Sequence, residues 1–249
     1  MMDSIIILGK EIPLYGIFFY LGIFVAVGVG LLLCKRRRFP VSELVYSAVY
    51  SMIGAFVGAK ALFVLTAWKQ IVAYQIPLEN IIKGGFVFYG GLIGGFIGLW
   101  IYTKQFKLNI WEYTGIYAVV LPIGHAIGRI GCFFAGCCYG IPFEGGHVYT
   151  HTVGNTPLGV PLLPIQLIEA GCLFLLFVGL LVGFLLHPDN LRRTTYIYLF
   201  AYPVLRFILE FFRGDAERGV VLLSTSQWIS ILLLVFTVFL MARPAKKKN

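Results

Sequence analysis

Charged residues are scarce in this chain of 249 residues. They make up 12% of the sequence, with 20 Lys and Arg against 11 Asp and Glu, whereas hydrophobic residues make up 59%. An ordinary soluble domain has about a quarter charged residues, and disordered chains are poor in apolar ones. The composition, with a mean hydropathy of +0.87, therefore excludes a conventional soluble enzyme and a disordered chain. It indicates an integral membrane protein.

Three features that the sequence lacks bear on its processing, its domain organisation and its partners. No basic segment precedes the first hydrophobic run, as it would in a cleavable signal peptide, so we expect that run to be retained. No internal repeat, low-complexity tract or linker divides the sequence, and we expect a single transmembrane domain over residues 1–249. The Lys and Arg residues are spread between apolar runs rather than gathered in one patch, which argues against nucleic-acid binding.

Hydrophobic runs dominate what is present, and seven of them are long enough to cross a bilayer at about 20 residues per span. They lie near 14–34, 41–67, 85–103, 110–131, 164–186, 196–212 and 225–241. Twelve Lys and Arg residues follow the odd-numbered runs, and five lie on the other side. The sequence therefore predicts an all-α, polytopic membrane protein with its amino terminus outside, its carboxyl terminus in the cytoplasm and the loop 132–163 extracytoplasmic.

Three basic residues, Lys60, Arg129 and Arg206, fall inside predicted spans, where an unpaired charge costs about 2.5–3.5 kcal/mol on insertion scales. Arg206, Glu210 and Arg213 have the spacing of one helical face. An ion pair that only holds helices together is one interpretation of that face. Two arginines exceed one carboxylate, however, and guanidinium binds phosphate through two parallel hydrogen bonds. We therefore predict a phosphate-binding face at the outer end of this span.

A second group of polar residues lies in the segment GHAIGRIGCFFAGCCYG, residues 124–140. His125, Arg129 and Cys132 follow one another at helical spacing, with glycines between them. Close helix packing explains most of those glycines. It does not explain Arg129, which we interpret as a second anion contact, with Gly131 allowing a lipid headgroup to approach the backbone amides.

Four segments together resemble the prolipoprotein diacylglyceryl transferase family, in the family's order. They are GGFVFYGGLIG (84–94), GRIG (128–131), LPIQLIEA (163–170) and LRFILEFFR (205–213). Members of the family are bacterial enzymes with seven spans. They pass a diacylglyceryl group from phosphatidylglycerol to the thiol of a lipobox cysteine in the signal peptide of a prolipoprotein, forming a thioether. The resemblance implies this activity here, in a monomer without a cofactor, at the extracytoplasmic leaflet of the inner membrane.

The resemblance also implies roles for individual residues by motif match. Arg129 and Arg206 correspond to the essential arginines of the family. The residues implied to bind substrate come from the first span and from the last three motifs, namely Tyr15, Gly131, Gln166, Glu169, Glu210 and Arg213.

Several positions depart from the family pattern. Tyr89 stands where a histidine proposed as the base is expected, and Cys132 stands where the arginine motif usually continues with asparagine. The NxE that usually follows is replaced by Ala135 and Cys137. The chain is accordingly interpreted either as a divergent member with the same reaction or as a paralogue with a different acceptor.

The chemistry of the reaction agrees with this resemblance. Negative charge develops on the leaving phosphate oxygen, and Arg129 and Arg206 would stabilise it. The acceptor thiol must lose its proton, which a nearby cationic site favours. His125 or Tyr89 would accept that proton, and the ordinary pKa of histidine, about 6.5 against about 10 for tyrosine, suits the task better. A purely structural role for His125 is the alternative.

The cysteines support a competing interpretation. Cys132, Cys137 and Cys138 precede His147 and His151, a set that could hold a metal in a membrane protein that handles thiols, metals or electrons. The spacing CxxxxCC is not a standard zinc pattern, however, and no CxxC pair occurs. Intramembrane charge also suits a transporter, but no inverted repeat is visible. We therefore predict the lipid transferase, with no metal ligands among its site residues.

Overall fold

The computed structural model describes residues 4–7, 10–73, 87–151, 156–187, 189–215 and 222–242. Within these ranges the chain forms seven α-helices: α1 Leu14–Arg37, α2 Val41–Ala73, α3 Phe88–Gln105, α4 Ile110–Ala135, α5 Ile165–Leu186, α6 Leu191–Leu209 and α7 Thr225–Ala242. Two short antiparallel pairs accompany them, formed by β1 Ser4–Ile7 with β2 Lys10–Pro13 and by β3 Pro142–Val148 with β4 Pro161–Leu162.

Each helix coincides with one of the seven predicted spans. Within the described residues, six of them, all except α3, are long and apolar enough to cross a membrane. The prediction of an all-α polytopic membrane protein is confirmed. Several of the loop cations used to predict orientation, Lys83, Arg218, Arg243 and Lys246–Lys248, lie outside the described residues.

Several predicted boundaries were wrong. Helix α2 continues to Ala73 rather than ending near 67. Helix α6 begins at Leu191 rather than 196, because the side chain of Asn190 caps it by accepting a hydrogen bond from the Arg193 amide (3.1 Å). The same helix ends at Leu209 and is followed by a 3₁₀ turn, Glu210–Phe212. Helix α4 continues to Ala135, so that Cys132 lies in its last turn and not in the following loop.

The chain forms two compact units, the first comprising residues 1–32 and 114–249 and the second residues 33–113. In the second unit, α2 and α3 approach each other through glycines. A Cβ atom on Gly54 would overlap the carbonyl oxygen of Gly94, and one on Gly58 would overlap that of Gly90. The small residues thus allow the two backbones to touch, as in many membrane helix pairs.

A buried polar cluster lies at one end of the same unit. The Tyr102 hydroxyl donates a hydrogen bond to Glu43 Oε2 at 2.6 Å, and the Tyr113 hydroxyl donates to the same oxygen at 3.3 Å. Both tyrosines are fully buried. Elsewhere in α2, the Lys60 ammonium lies 5.7 Å from the centre of the Phe63 ring, a distance at which a cation and an aromatic face attract each other.

In the first unit, the loop between α4 and α5 contains the β3–β4 pair and is joined to the end of α6. The Ile141 amide donates to Phe212 O (3.0 Å), and the Gly214 amide donates to Tyr139 O (2.9 Å). Leu163 in turn donates to Ile141 O (2.9 Å). These bonds fix the residues that follow α6 against the turn that follows α4, and they position the site described next.

Candidate functional site

Arg129 projects from α4 towards α5. Its Nε atom lies 3.1 Å from Glu169 Oε2, and His125, one turn earlier on α4, has its Nε2 atom 3.8 Å from Glu169 Oε1. Glu169 is almost fully buried, and Arg129 is exposed over only 13% of its side chain. The carboxylate therefore compensates the buried guanidinium, as a charge at membrane depth requires.

Two other residues implied by the motifs lie against the same end of α4. A Cβ atom on Gly131 would lie 2.9 Å from Phe18 Cβ and 3.3 Å from Tyr15 O, so this glycine allows α1 and α4 to approach closely near Tyr15. Gln166 is buried in the first turn of α5, where its Nε2 atom donates to Cys137 O (2.8 Å) and lies 3.3 Å from the Tyr149 hydroxyl. Gln166 thereby holds the turn after α4 in place.

Arg206 occupies the last turn of α6. One of its terminal nitrogens, Nη2, forms an ion pair with Glu210 and donates to Ser226 Oγ of α7 at 3.2 Å. Its other terminal nitrogen, Nη1, is buried and has no hydrogen-bond partner among the described residues. A buried donor without an acceptor is costly, and Nη1 is therefore the atom of this group most suited to receive a ligand oxygen.

Arg213 does not share a helical face with Arg206 and Glu210, and that prediction was wrong. The helix ends at Leu209, and Arg213 has an extended backbone that pairs with Gly140. Its guanidinium binds Asp215 in a bidentate manner, through Nε at 2.8 Å and Nη2 at 2.5 Å. Burial alone would lower the pKa of Arg213, but the hydrogen bond to Asp215 and the nearby Cys138 thiol raise it above its ordinary value.

These pairs lie within the electrostatic range of one another. His125 is close enough to Arg129 and Arg206 for their charges to act on it, and Arg213 is in the same range of Arg129 and Glu210. The predicted excess of positive charge is absent from these three ion pairs, because Asp215, which was not predicted from the sequence, supplies a third carboxylate for the third arginine. An anion would therefore be held by uncommitted guanidinium donors rather than by net charge.

Comparison with known proteins places the chain among relatives. The sequence model described as prolipoprotein diacylglyceryl transferase matches residues 4–243. The chain belongs to the prolipoprotein diacylglyceryl transferase family. It is 33% identical to phosphatidylglycerol–prolipoprotein diacylglyceryl transferase 2 of Clostridium perfringens, over 92% of this chain and 90% of that protein. Identity to the transferase of Clostridium tetani is 32%, over 93% and 92%, and to that of Dehalococcoides mccartyi 30%, over 94% and 90%.

Membership of the diacylglyceryl transferase family confirms the resemblance found in the four motifs. The match extends over nearly the whole chain and does not favour a separate class of metal-handling or redox protein. Tyr89, the residue at the family's expected histidine position, lies in the first turn of α3 in the second unit and is half-buried. Its catalytic role stays a prediction.

The three cysteines after the arginine motif converge in this family member. The Sγ atoms of Cys132, Cys137 and Cys138 all lie within 4.8 Å of one another, and none is in a disulfide. Gly136 and Cys138 both have left-handed backbones, with φ of 66° and 57°, and these reverse the chain so that the last two thiols return to the first. His147 and His151 lie outside the group, so the five-residue set considered from the sequence does not form.

Hydrogen bonding within the group polarises the two thiols that lie beyond α4. Contacts with the Cys132 and Cys137 thiols, assisted by Arg213 and Arg129, lower the pKa of Cys138 below its ordinary value. The thiols of Cys132 and Cys138 raise that of Cys137. Burial, together with the neighbouring Cys137, raises the pKa of Tyr149 to about 12.

Proposed function

We propose that this chain transfers a diacylglyceryl group from phosphatidylglycerol to the lipobox cysteine of a prolipoprotein. The names of its relatives state both substrates. The observation that best supports the proposal in the molecule itself is the pair of largely buried arginines, Arg129 on α4 and Arg206 on α6, the second of which has a buried donor without an acceptor among the described residues. An ion pair with a purely structural role would not require Arg206 to keep Nη1 buried without such an acceptor.

The reaction makes one bond and breaks one. The acceptor sulfur attacks the glycerol carbon that carries the phosphate ester, the carbon–oxygen bond breaks, and glycerol phosphate leaves with the bonding electrons. Arg206 Nη1 and the guanidinium of Arg129 would donate to the phosphate oxygens, and they would stabilise the charge that grows there. Glu169 and Glu210 keep the two side chains oriented for that contact.

The acceptor thiol must transfer its proton to a base. His125 lies beside Arg129 on the same helical stripe, and its Nε2 atom faces Glu169 at 3.8 Å. This long contact leaves the imidazole able to turn towards a bound thiol, and apo geometry of catalytic groups is often loose. We assign His125 as the proton acceptor and retain Tyr89 as a second candidate. Tyr15, Gly131, Gln166 and Arg213 are assigned to substrate binding.

The proposed reaction takes place on the extracytoplasmic side of the inner membrane, in a monomer. The division of loop cations supports that side, because it puts the α4–α5 loop outside. A reporter fused after Gly146 should be active outside the cytoplasm, and the same reporter fused after Lys107 should be active inside. A cytoplasmic signal from the Gly146 fusion would mean that the arginine cluster faces the cytoplasmic leaflet, which contradicts the proposal.

A direct assay tests the activity. Purified protein is incubated with phosphatidylglycerol and a lipobox peptide, and the peptide mass is measured. We expect one added diacylglyceryl group and none on a peptide with serine in place of cysteine. Phosphatidylethanolamine is the control for the headgroup. Absence of addition on several lipobox peptides would contradict the proposal and favour a different acceptor.

A further inference from the structure

The cysteine group has the geometry of a metal site. Zinc binds sulfur at about 2.3 Å, and two sulfurs on a tetrahedral zinc are therefore about 3.8 Å apart. The three Sγ atoms already lie within 4.8 Å of one another, so rotations that move each sulfur by less than about 1 Å would bring them to ligand positions. Thiolate sulfur selects soft cations such as zinc and copper(I).

The backbone around the thiols is fixed by bonds that do not involve them. The Cys137 amide donates to Cys132 O (3.2 Å), and Gln166 donates to Cys137 O (2.8 Å). Cys138 is held in a left-handed conformation, which is uncommon for a residue with a side chain and tends to be found at functional sites. The three thiols therefore converge on a built turn rather than by chance rotation of free side chains.

The group also lies close to Arg129. Cys132 follows Arg129 by one turn of α4, and Gln166, which donates to Cys137 O, precedes Glu169, the partner of Arg129, by one turn of α5. Three protein ligands leave the fourth position of a tetrahedral ion open, as in catalytic zinc sites. A fourth ligand there would be bound at the end of α4 that carries Arg129.

We propose that Cys132, Cys137 and Cys138 bind one zinc-type d¹⁰ cation whose open position takes the acceptor thiol. The ion lowers the affinity of the bound thiol for its proton, as metals do for coordinating thiols. The proton passes to the general base, the sulfur attacks the glycerol carbon, glycerol phosphate departs with the electron pair of the broken carbon–oxygen bond, and the product thioether, a weaker ligand, leaves the ion. No oxidant or reductant takes part.

The expectation of a metal-free site, which came from the spacing of the cysteines and from the family resemblance, is thereby revised. The proposed site also accounts for two departures together, since a metal that activates the thiol would reduce the need for the family's expected histidine at the position of Tyr89. The binding site itself is independent of the proposed function, whereas the activation of the acceptor thiol rests on it.

Metal titration tests the site without measuring activity. Full-length protein, purified under reducing conditions and stripped with a chelator, is titrated with Cd²⁺ while the sulfur-to-metal charge-transfer absorption is recorded. We expect one equivalent bound with a Kd tighter than about 1 µM. The triple variant Cys132→Ser, Cys137→Ser, Cys138→Ser should lose the band, and the control Cys34→Ser, Cys172→Ser should retain it. A band that the control loses, or no stoichiometric binding by the parent protein, would overturn the site.

The open position and the activity are tested next. With Co²⁺ in the site, a lipobox peptide should shift the visible absorption, and its serine analogue should not. Chelation should lower transfer to the peptide more than about tenfold, with recovery on adding Zn²⁺. Equal transfer before and after chelation would overturn the catalytic part of the inference. A peptide-dependent shift without any lipid transfer would support the metal site and contradict the proposed function instead.

Discussion

Two polar clusters in this chain differ in whether their hydrogen-bond donors all have acceptors. In the second unit, the Glu43 carboxylate receives neutral hydroxyl donors from Tyr102 and Tyr113. In the first unit, each arginine of the site is paired with a carboxylate, and Arg206 still has a buried donor that no described residue accepts. A cluster with matched donors and acceptors stabilises a fold, whereas one with donor capacity left over is prepared for a ligand.

The comparison would fail most clearly if lysine could replace the site arginines. Arg129→Lys and Arg206→Lys retain the charge but lose the planar fork that binds two phosphate oxygens. We expect each to lower turnover more than about tenfold, or roughly 1.4 kcal/mol of transition-state stabilisation. Transfer to a lipobox peptide is the measurement.

Arg192→Lys is the matched control, because Arg192 lies on the same helix as Arg206 but donates to Tyr196 (2.7 Å), outside the cluster. We expect it to keep parental turnover. If all three lysine variants behaved alike, the arginines would be structural and the phosphate site would be wrong. Thermal unfolding of each variant separates loss of chemistry from loss of fold.

Substitution in the Glu43 cluster is expected to lower stability rather than turnover. Glu43→Gln keeps an acceptor oxygen for Tyr102 but removes the charge that strengthens the hydrogen bond. We expect a loss of about 1 kcal/mol in the free energy of unfolding, with turnover unchanged well below the unfolding temperature. Unfolding in detergent measures the first quantity, and Glu112→Gln is the control. A large loss of turnover without loss of stability would show that this cluster is also part of the site.

Arg213 offers a smaller test within the first unit, since two of its nitrogens are committed to Asp215. We expect Arg213→Lys to raise KM about threefold, roughly 0.7 kcal/mol, with kcat nearly unchanged, because it removes binding common to ground state and transition state. Substrate titration at fixed enzyme concentration gives both constants. A kcat loss as large as that of Arg206→Lys would mean that Arg213 contacts the reacting phosphate directly.

Hydropathy predicted the seven helices because a span must be long and apolar whatever it packs against. Helix ends were less predictable. The cap by Asn190 is a local signal that a 19-residue window averages away. The 3₁₀ turn that redirects Arg213 has no signal in the sequence. The partner of Arg129 was a harder case. Glu169 lies on another helix, and intramembrane charges reveal that a partner exists without saying which it is.

The convergence of the cysteines could not be predicted from the sequence either. Their spacing was one argument against a metal site, since CxxxxCC matches no standard zinc pattern. Convergence of the thiols depends on a left-handed residue at Cys138, a conformation that is rare for a side-chain residue and that no periodicity predicts. A helical stripe through Cys132 could be read from the sequence, but the return of the next two thiols could not.

The smallest expected effect concerns Tyr149, the buried hydroxyl beside the site. Gln166 holds the turn after α4 mainly through its 2.8 Å bond to Cys137 O, whereas its contact with the Tyr149 hydroxyl is longer, at 3.3 Å. Tyr149→Phe removes only the weaker contact and keeps the ring against Phe133 and His147. We therefore expect only about a twofold change in turnover, which corresponds to about 0.5 kcal/mol, the low end of what a neutral hydrogen bond contributes. Gln166→Leu removes both contacts and leaves the Cys137 carbonyl without its donor, so it should lower Cd²⁺ affinity and turnover together. If Tyr149→Phe instead matched Gln166→Leu in both measurements, the hydroxyl, and not the amide, would be the group that holds the turn.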